Sequence, residues 1–253
     1  MSTTRAMILA AGRGERMRPL TDTCPKPLLR VRGQALIDWH VAALAAGGFT
    51  EFVINTAWLG EQFPAHFEKQ AALQADANGR KPTAFSYSHE GVDFGGALET
   101  AGGIARALPL LGDLFWVVAA DVFMPGFTFS EDAMTRFAAS GKLAHLWLVP
   151  NPPHNRAGDF GLGADGLALN LPRGSSEPQF TFSTVALYRR EFFDSLPAGN
   201  PQGVKAALAP LLRRAMDNRQ VSAELYRGAW TDVGTPARLA ELNETSLPPT
   251  GSP

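Results

Sequence analysis

The stretch from Met7 to Val31 constrains the fold more than any other, because an apolar run passes directly into a glycine-punctuated basic loop. The run Met7 to Ala11 is short and is closed by Gly12, a pattern typical of a buried parallel strand that ends at the carboxyl edge of a sheet. Gly12 and Gly14 allow a tight turn whose backbone N–H groups can face an anion. The pattern therefore predicts an open α/β sheet with an anion-binding loop after its first strand.

Several cations surround this loop. Arg16 and Arg18 offer planar guanidinium groups to phosphate oxygens, and Lys26 stands between two prolines that hold its backbone extended. Met17 occupies the position where a dinucleotide fingerprint needs its third glycine, and the Gly-Lys-Ser/Thr of a P-loop is missing. Two interpretations remain: these cations and Arg13 cradle a polyphosphate, or they are solvated side chains of an exposed loop.

The composition limits the class of protein. With 253 residues, 45% of them hydrophobic, we expect one α/β domain over 1–245 and a disordered tail over 246–253. A formal net charge of −1 gives no general footprint for nucleic acid, so the predicted partners are small anionic molecules, and no obligate protein partner is evident. The single cysteine, Cys24, excludes an internal disulfide and favours a cytoplasmic protein. No apolar run reaches the roughly 18 residues of a membrane span, and the first run is too short for a signal peptide.

Strand and helix patterns alternate after the loop. Apolar spacing predicts helices over 35–46 and 58–74. Because these helices alternate with predicted strands, we expect parallel strands joined by right-handed crossovers. We expect Pro64 to interrupt the second helix and Pro210 to kink a later helix over 205–216. The other predicted elements are a loop over 89–96, a helix over 97–108, a closing helix over 236–242 and strands over 49–56, 83–88, 114–120, 143–149 and 180–188.

Asp121 directly follows the most strongly apolar strand candidate, 114–120. A carboxylate there lies at the carboxyl edge of the sheet, close to the loop that the first strand delivers. Mg²⁺ usually takes one or two carboxylates, with substrate phosphates and water completing its octahedron. Asp121 is therefore either a ligand of a divalent ion or a cap for the next loop.

A longer pattern resembles a known family. Leu-Ala-Ala-Gly-x-Gly-x-Arg-x-Arg-Pro-Leu-Thr over 9–21, followed by Pro-Lys-Pro-Leu over 25–28, is similar to the signature of the sugar-1-phosphate nucleotidyltransferases, also called nucleotide-sugar pyrophosphorylases. The resemblance implies a Rossmann-like three-layer α/β/α fold with a mixed, mostly parallel central sheet. It also implies transfer of a nucleoside monophosphate from an NTP to a sugar 1-phosphate, with release of pyrophosphate.

The resemblance assigns the loop to the nucleotide. Arg16 and the backbone of Gly12 and Gly14 would hold the triphosphate, and Lys26 would bind phosphate near the reacting centre. The predicted catalytic residues are Arg16, Lys26 and Asp121. The predicted nucleotide-binding residues are Ala11, Gly12, Arg13, Gly14, Ser88, Thr100 and Gly102.

The resemblance also assigns metal, base and sugar contacts. Trp-x-Asp-x-Gly-Thr-Pro over 230–236 is similar to the family's second metal-binding segment, so Asp232 would bind Mg²⁺ together with Asp121. The glycines at the start of the helix over 97–108 suit close packing against a neighbour, but the resemblance places the nucleotide base there, in a form that fits uridylyl- and guanylyltransferases alike. Asp159 either hydrogen-bonds sugar hydroxyls or caps a turn, and Ser183 is a second predicted sugar contact.

Within the family, motifs across residues 5–243 most resemble uridylyltransferases that act on N-acetylmuramate 1-phosphate in bacterial cell-wall recycling. Those enzymes have Asn-Gly before the metal carboxylate, whereas this chain has Ala119 and Ala120, and a methyl group cannot replace the hydrogen bonds of a carboxamide. Mannose-1-phosphate guanylyltransferase, or another sugar-1-phosphate specificity, is the alternative in the same class. A catalytically silent nucleotide-sugar-binding regulator is the alternative in another class.

Overall fold

A computed structural model describes residues 5–74, 83–172 and 174–244 of the protein. The helices are α1 Leu36–Ala46, α2 Gln62–Gln74, α3 Glu90–Phe94, α4 Glu99–Ala107, α5 Glu131–Ser140, α6 Leu208–Asp217 and α7 Pro236–Glu244. The strands are β1 Arg5–Leu9, β2 Arg30–Val31, β3 Gln34–Ala35, β4 Glu51–Thr56, β5 Ala84–His89, β6 Leu114–Ala119, β7 Val122–Phe123, β8 Ala144–Val149, β9 Phe160–Leu162, β10 Ala168–Leu169, β11 Gln179–Arg189, β12 Val221–Leu225 and β13 Thr231–Asp232.

One nine-stranded sheet organises the described residues. Its main path has the order β10-β9-β11-β6-β1-β4-β5, and β8 joins β12 to the other side of β11. Seven strands run in one direction, and only β10 and β11 run against them. The predicted mixed, mostly parallel sheet is confirmed.

Helices cover both faces of this sheet. Along β1, Ala6 and Ile8 point into a core that contains Ile37 of α1, whereas Met7 between them points into a second core with Ile104 of α4. These side chains are all fully buried. The alternation follows from the period of two along a strand, and it gives the predicted three layers.

Two proline predictions are wrong in the same way. Helix α2 begins only at Gln62 and α6 only at Leu208, so Pro64 and Pro210 each lie in the first turn. In the first turn the backbone N–H has no partner inside the helix, so a proline there removes no helical hydrogen bond. Neither proline interrupts or kinks its helix.

The predicted loop over 89–96 contains a short helix, α3. Thr235 caps α7, because its Oγ1 accepts a hydrogen bond from the backbone N–H of Arg238 in the first turn. In the described part of the chain, no helix has the length and apolar character that crossing a membrane requires. The predicted tail over 246–253 lies outside the described residues.

Candidate active site

A cavity of about 700 Å³ opens at the carboxyl ends of β1 and β6. Open α/β sheets bind their ligands at this edge. The predicted site residues that line the cavity are Ala11, Gly12, Lys26, Thr100, Asp121 and Asp159. Residues predicted to bind the nucleotide and residues predicted to bind the sugar therefore line one cavity.

The loop after β1 is folded tightly onto its own second half. Gly14 has a φ of 68°, in the left-handed region that favours glycine. A Cβ atom on Gly14 would stand 3.0 Å from Cγ2 of Thr21 and 3.3 Å from Cβ of Lys26. The Thr21 hydroxyl donates a 2.9 Å hydrogen bond to the Gly14 carbonyl. Gly14 thus permits the close approach that brings Lys26 beside the loop.

The two predicted loop arginines differ in their surroundings. The Arg13 guanidinium donates to the Thr21 carbonyl at 2.9 Å and to Oδ1 of Asp22 at 3.1 Å, and it lies 3.8 Å from the ring centroid of Trp58. Arg16 is exposed, and its Nη2 lies within 3.4 Å of where a Cβ on Gly234 would stand. Arg13 therefore braces the loop, whereas Arg16 faces the segment that follows β13.

Lys26 and Asp121 form an ion pair at the cavity, with Nζ 2.7 Å from Oδ2. The Lys26 side chain is only 10% exposed, whereas that of Asp121 is 44% exposed. The stiff Pro-Lys-Pro backbone and the end of β6 place the two groups. Lys26, which is predicted to bind phosphate, and Asp121, which is predicted to bind Mg²⁺, are therefore direct neighbours.

A short antiparallel pairing brings the two predicted metal carboxylates together. Strand β13 pairs with β7 so that Asp232 lies opposite Val122, and the N–H of Val233 donates to the Asp121 carbonyl at 2.8 Å. The Asp232 carboxylate also forms an ion pair with Arg238 of α7. Its other oxygen lies 2.9 Å from Nε2 of His154.

This donor set fits Mg²⁺ better than a metal that needs an all-protein cage. The described residues contain no group of three or more His, Cys, Asp or Glu side chains able to hold a metal. Asp121 and Asp232 would offer two carboxylates, and Mg²⁺ usually takes one or two carboxylates while substrate phosphates and water complete its shell. Both carboxylates are also held by nearby cations, Lys26 and Arg238.

The segment predicted to contact the base is only partly placed at the cavity. Thr100 lines it, but Gly102 does not. The Gly102 N–H donates to the Ala206 carbonyl, its carbonyl accepts from Asn200, and a Cβ atom there would stand 2.5 Å from the Val204 carbonyl oxygen. This glycine packs α4 against 204–206, and its nucleotide-binding role stays a prediction. Ser88 is buried at the end of β5 outside the lining, and its role stays a prediction.

Of the two predicted sugar contacts, only Asp159 lines the cavity. Its Oδ2 accepts from the Phe182 N–H at 2.8 Å and its Oδ1 from Asn155 at 3.2 Å. Ser183 is fully buried, and its hydroxyl donates to the Trp147 carbonyl at 2.6 Å. The hydroxyl of Ser183 is thus already bonded inside the protein, and its predicted sugar contact stays a prediction. Its neighbour Thr184 lines the cavity instead, with an unusual φ of 67°.

The sequence analysis missed a buried polar network on the nucleotide side. Glu90, at the start of α3, is fully buried and lines the cavity. It accepts from Nδ2 of Asn55 at 2.6 Å and from the Leu98 N–H at 2.7 Å, and Oδ1 of Asn55 accepts from the Ala10 N–H at 2.8 Å. Burial raises the pKa of Glu90, while the bonds from Leu98 and Asn55 and the charge of Arg106 oppose that rise. The only signal was the position of Asn55 at the end of a buried strand.

The fold and the site are those of a nucleotidyltransferase. A glycine-containing loop follows the first strand, a lysine lies beside it, and two carboxylates lie near the same edge of the sheet. A family model described as nucleotidyl transferase matches residues 5–247, and the chain belongs to this family. It is therefore an enzyme of the sugar-1-phosphate nucleotidyltransferase type, as its sequence motifs predicted.

Individual relatives show which enzymes of the family this chain resembles. The chain is 48% identical to an N-acetylmuramate alpha-1-phosphate uridylyltransferase of Neisseria meningitidis, over 94% of this chain and 96% of that protein. It is 32% identical to a protein of the same name from Caulobacter vibrioides, over 93% of this chain and 97% of that protein. A solved structure of a putative glucose-1-phosphate thymidylyltransferase from Bacillus anthracis superposes with a TM-score of 0.73 at 20% identity, covering 95% of this chain and 94% of that one. The last similarity confirms the fold, and the first two show that the chain resembles uridylyltransferases over nearly its whole length.

Proposed function

We propose that this protein transfers UMP from UTP to N-acetylmuramate 1-phosphate in the presence of Mg²⁺, giving the UDP-sugar and pyrophosphate. The observation that carries the reaction type is the β7 to β13 pairing, which delivers Asp232 to Asp121 while Lys26 contacts Asp121 from the other side. The acceptor sugar rests on the two relatives of that name. We further propose that the enzyme works in the cytoplasm and returns a cell-wall sugar to use.

The protein groups have separable tasks in this reaction. The difficulty is to align two polyanions, because the acceptor phosphate has a second pKa of about 6 and is mostly dianionic at neutral pH. The backbone of Gly12 and Gly14, with Arg16, would hold the triphosphate and stabilise the leaving pyrophosphate. Lys26 would orient the acceptor phosphate for in-line attack on the α-phosphorus, so that no protein nucleophile and no strong base are needed. Asp121 and Asp232 would hold Mg²⁺, which supplies positive charge to phosphate oxygens.

Two alternatives remain open to test. Mannose-1-phosphate guanylyltransferase subunits match only part of the chain, as in Dictyostelium discoideum, where identity is 34% over 47% of this chain. A catalytically silent regulator has little use for the full set of Lys26, Asp121 and Asp232. Both alternatives predict a different outcome in one assay.

That assay is pyrophosphate release with Mg²⁺, in which UTP, GTP, CTP and dTTP are crossed against the 1-phosphates of N-acetylmuramate, N-acetylglucosamine, glucose and mannose. Activity confined to UTP with N-acetylmuramate 1-phosphate is the expected result. A preference for GTP with mannose 1-phosphate contradicts the proposed substrates, and silence across the grid contradicts the proposed activity. Omission of Mg²⁺ in the presence of a chelator should abolish turnover.

A further inference from the structure

Among the described residues, two cations line the cavity, Lys26 and Arg213. Lys26 is paired with Asp121, but among the described residues no ion pair involves Arg213. Arg213 is half-buried on α6, and its guanidinium lies 5.2 Å from the ring centroid of Phe160. Because a guanidinium stays charged and matches carboxylates and phosphates, an arginine that lines a cavity without a carboxylate partner is suited to bind an anion there.

The Arg213 guanidinium is held in place by neutral acceptors. Its Nη1 donates to Oδ1 of Asn170 at 2.6 Å, and its Nη2 donates to the Asp159 carbonyl at 3.2 Å. These two bonds fix the plane of the guanidinium without a carboxylate in direct contact, since Asp217 reaches it only through Asn170. The side chain also lines a second cleft, which Asn170 and Gln179 border, so it borders both cavities.

The position of Arg213 is on the acceptor side of the cavity. Asp159 directly precedes β9, which pairs with β11 at residues 179–180, whereas β6 pairs with β11 at residues 185–189 and ends before Asp121. Asp159 therefore lies beyond the carboxyl end of β6, and the bond to its carbonyl holds Arg213 beside this predicted sugar contact.

We propose that Arg213 is a specificity-determining residue that binds a carboxylate on the acceptor sugar. This proposal rests on the proposed function, because N-acetylmuramate differs from N-acetylglucosamine by a lactyl ether that carries a carboxylate. The surrounding cavity wall is largely apolar, with Phe160, Phe182 and Leu212 among its residues, and a charge-assisted bidentate bond is strengthened where water is limited. Asp159 repels such a carboxylate less than its charge suggests, since both of its oxygens already accept hydrogen bonds.

The test compares two acceptors in wild-type enzyme and in Arg213→Gln. The glutamine removes the charge but keeps a side chain able to donate hydrogen bonds. With UTP fixed, we expect kcat/KM for N-acetylmuramate 1-phosphate to fall by about 10- to 100-fold, mainly through KM, because hydrogen bonds to a charged group are worth that much. The value for N-acetylglucosamine 1-phosphate should change less than about threefold. Arg213→Lys should restore part of the preference.

The neighbouring Arg214 provides the matched control. It lies on the same helix and donates to Ser195 outside the cavity, so Arg214→Gln should leave the ratio of the two acceptors unchanged. The methyl ester of the lactyl group supplies an independent measurement on wild-type enzyme, which should use the ester about as poorly as Arg213→Gln uses the acid.

The outcomes separate this proposal from the proposed function. If wild-type enzyme prefers N-acetylmuramate 1-phosphate and Arg213→Gln keeps that preference, or loses both acceptors equally, the proposal for Arg213 is wrong while the proposed function stands. If wild-type enzyme prefers a neutral sugar 1-phosphate, both are wrong.

Discussion

The ammonium group of Lys26 lies 2.7 Å from the carboxylate of Asp121, and this pair joins the loop after β1 to the end of β6. Each partner compensates the charge of the other at an edge where two polyanionic substrates are proposed to meet. Under the proposed function, substrate binding would redistribute these contacts, with the lysine turning toward phosphate and the carboxylate toward Mg²⁺. The two side chains are expected to act together, so their variants should not be additive.

Lys26→Ala and Asp121→Asn should each lower the rate by on the order of 10²-fold or more, as removal of one preorganised charge-stabilising group does. The measurement is pyrophosphate release at saturating UTP. Lys142→Ala is the control, because the Lys142 ammonium lies outside the cavity and donates to the Arg219 carbonyl. Turnover close to wild type in a folded Lys26 or Asp121 variant contradicts the assigned roles.

Glu90→Gln should weaken UTP binding by on the order of tenfold. Both oxygens of Glu90 accept hydrogen bonds, from Asn55 and from the Leu98 N–H, and a glutamine can accept only one of them because its NH₂ group meets a second donor. The start of α4 should then shift relative to β1. The KM for UTP reports this change, and Asp93→Asn, an exposed change on the same helix α3, should leave it unaltered.

Gly102→Ala should destabilise the fold by about 1–3 kcal/mol, although alanine is the better helix former. The added Cβ would stand 2.5 Å from a backbone oxygen of Val204, which cannot move as a flexible side chain can. Urea unfolding measures the change. Gly96→Ala is the matched control, because nothing lies within 4 Å of a Cβ at that position, and an equal loss in both variants would refute the packing role of Gly102.

Acid should destabilise the protein through His40. Burial lowers the pKa of His40 to about 4, against the opposing effects of its 2.8 Å bond to the Val122 carbonyl and of the Asp121 charge. The unfolded chain takes up this proton near pH 6.5 while the folded chain does not, so the free energy of unfolding is undiminished above about 6.5 and falls as the pH drops toward 4.

The measurement compares urea unfolding at about pH 7.5 and pH 4.5 for wild-type protein and His40→Gln. The wild-type protein should lose on the order of 2 kcal/mol more than the variant over this interval. Because the other histidines are shared, they cancel in the comparison. Identical pH dependence in the two proteins would contradict the assignment to His40.

The sequence predicted the site best where a functional residue lies at a backbone position that the local sequence fixes. Gly12, Lys26 and Asp121 could be placed at one sheet edge because strand ends and proline-stiffened segments leave little freedom. The pairing of Asp232 with the β7 segment could not be derived from spacing, since it depends on how nearly half the chain folds between them.

Tertiary packing decided several features that the sequence could not predict. Ser183 and Thr184 are neighbours on β11, and the irregular register between Phe182 and Ala186 settles which one faces the cavity. The packing of Gly102 depends on a segment about a hundred residues away, and the starts of α2 and α6 decide whether a proline is harmful. Arg213 carried no local motif, so only the fold brought it to the cavity.

The late position of β13 has a consequence for the order in which the molecule is built. The residues of the loop after β1 all lie within the first 31 positions, but Trp58 and Asp121 hold Arg13 and Lys26, and the second carboxylate comes only with residue 232. Contacts of high sequence separation form at a greater entropic cost than local ones. An elongating chain on the ribosome therefore carries its predicted phosphate-binding residues early, but it can complete the predicted site only when nearly the whole domain has been made.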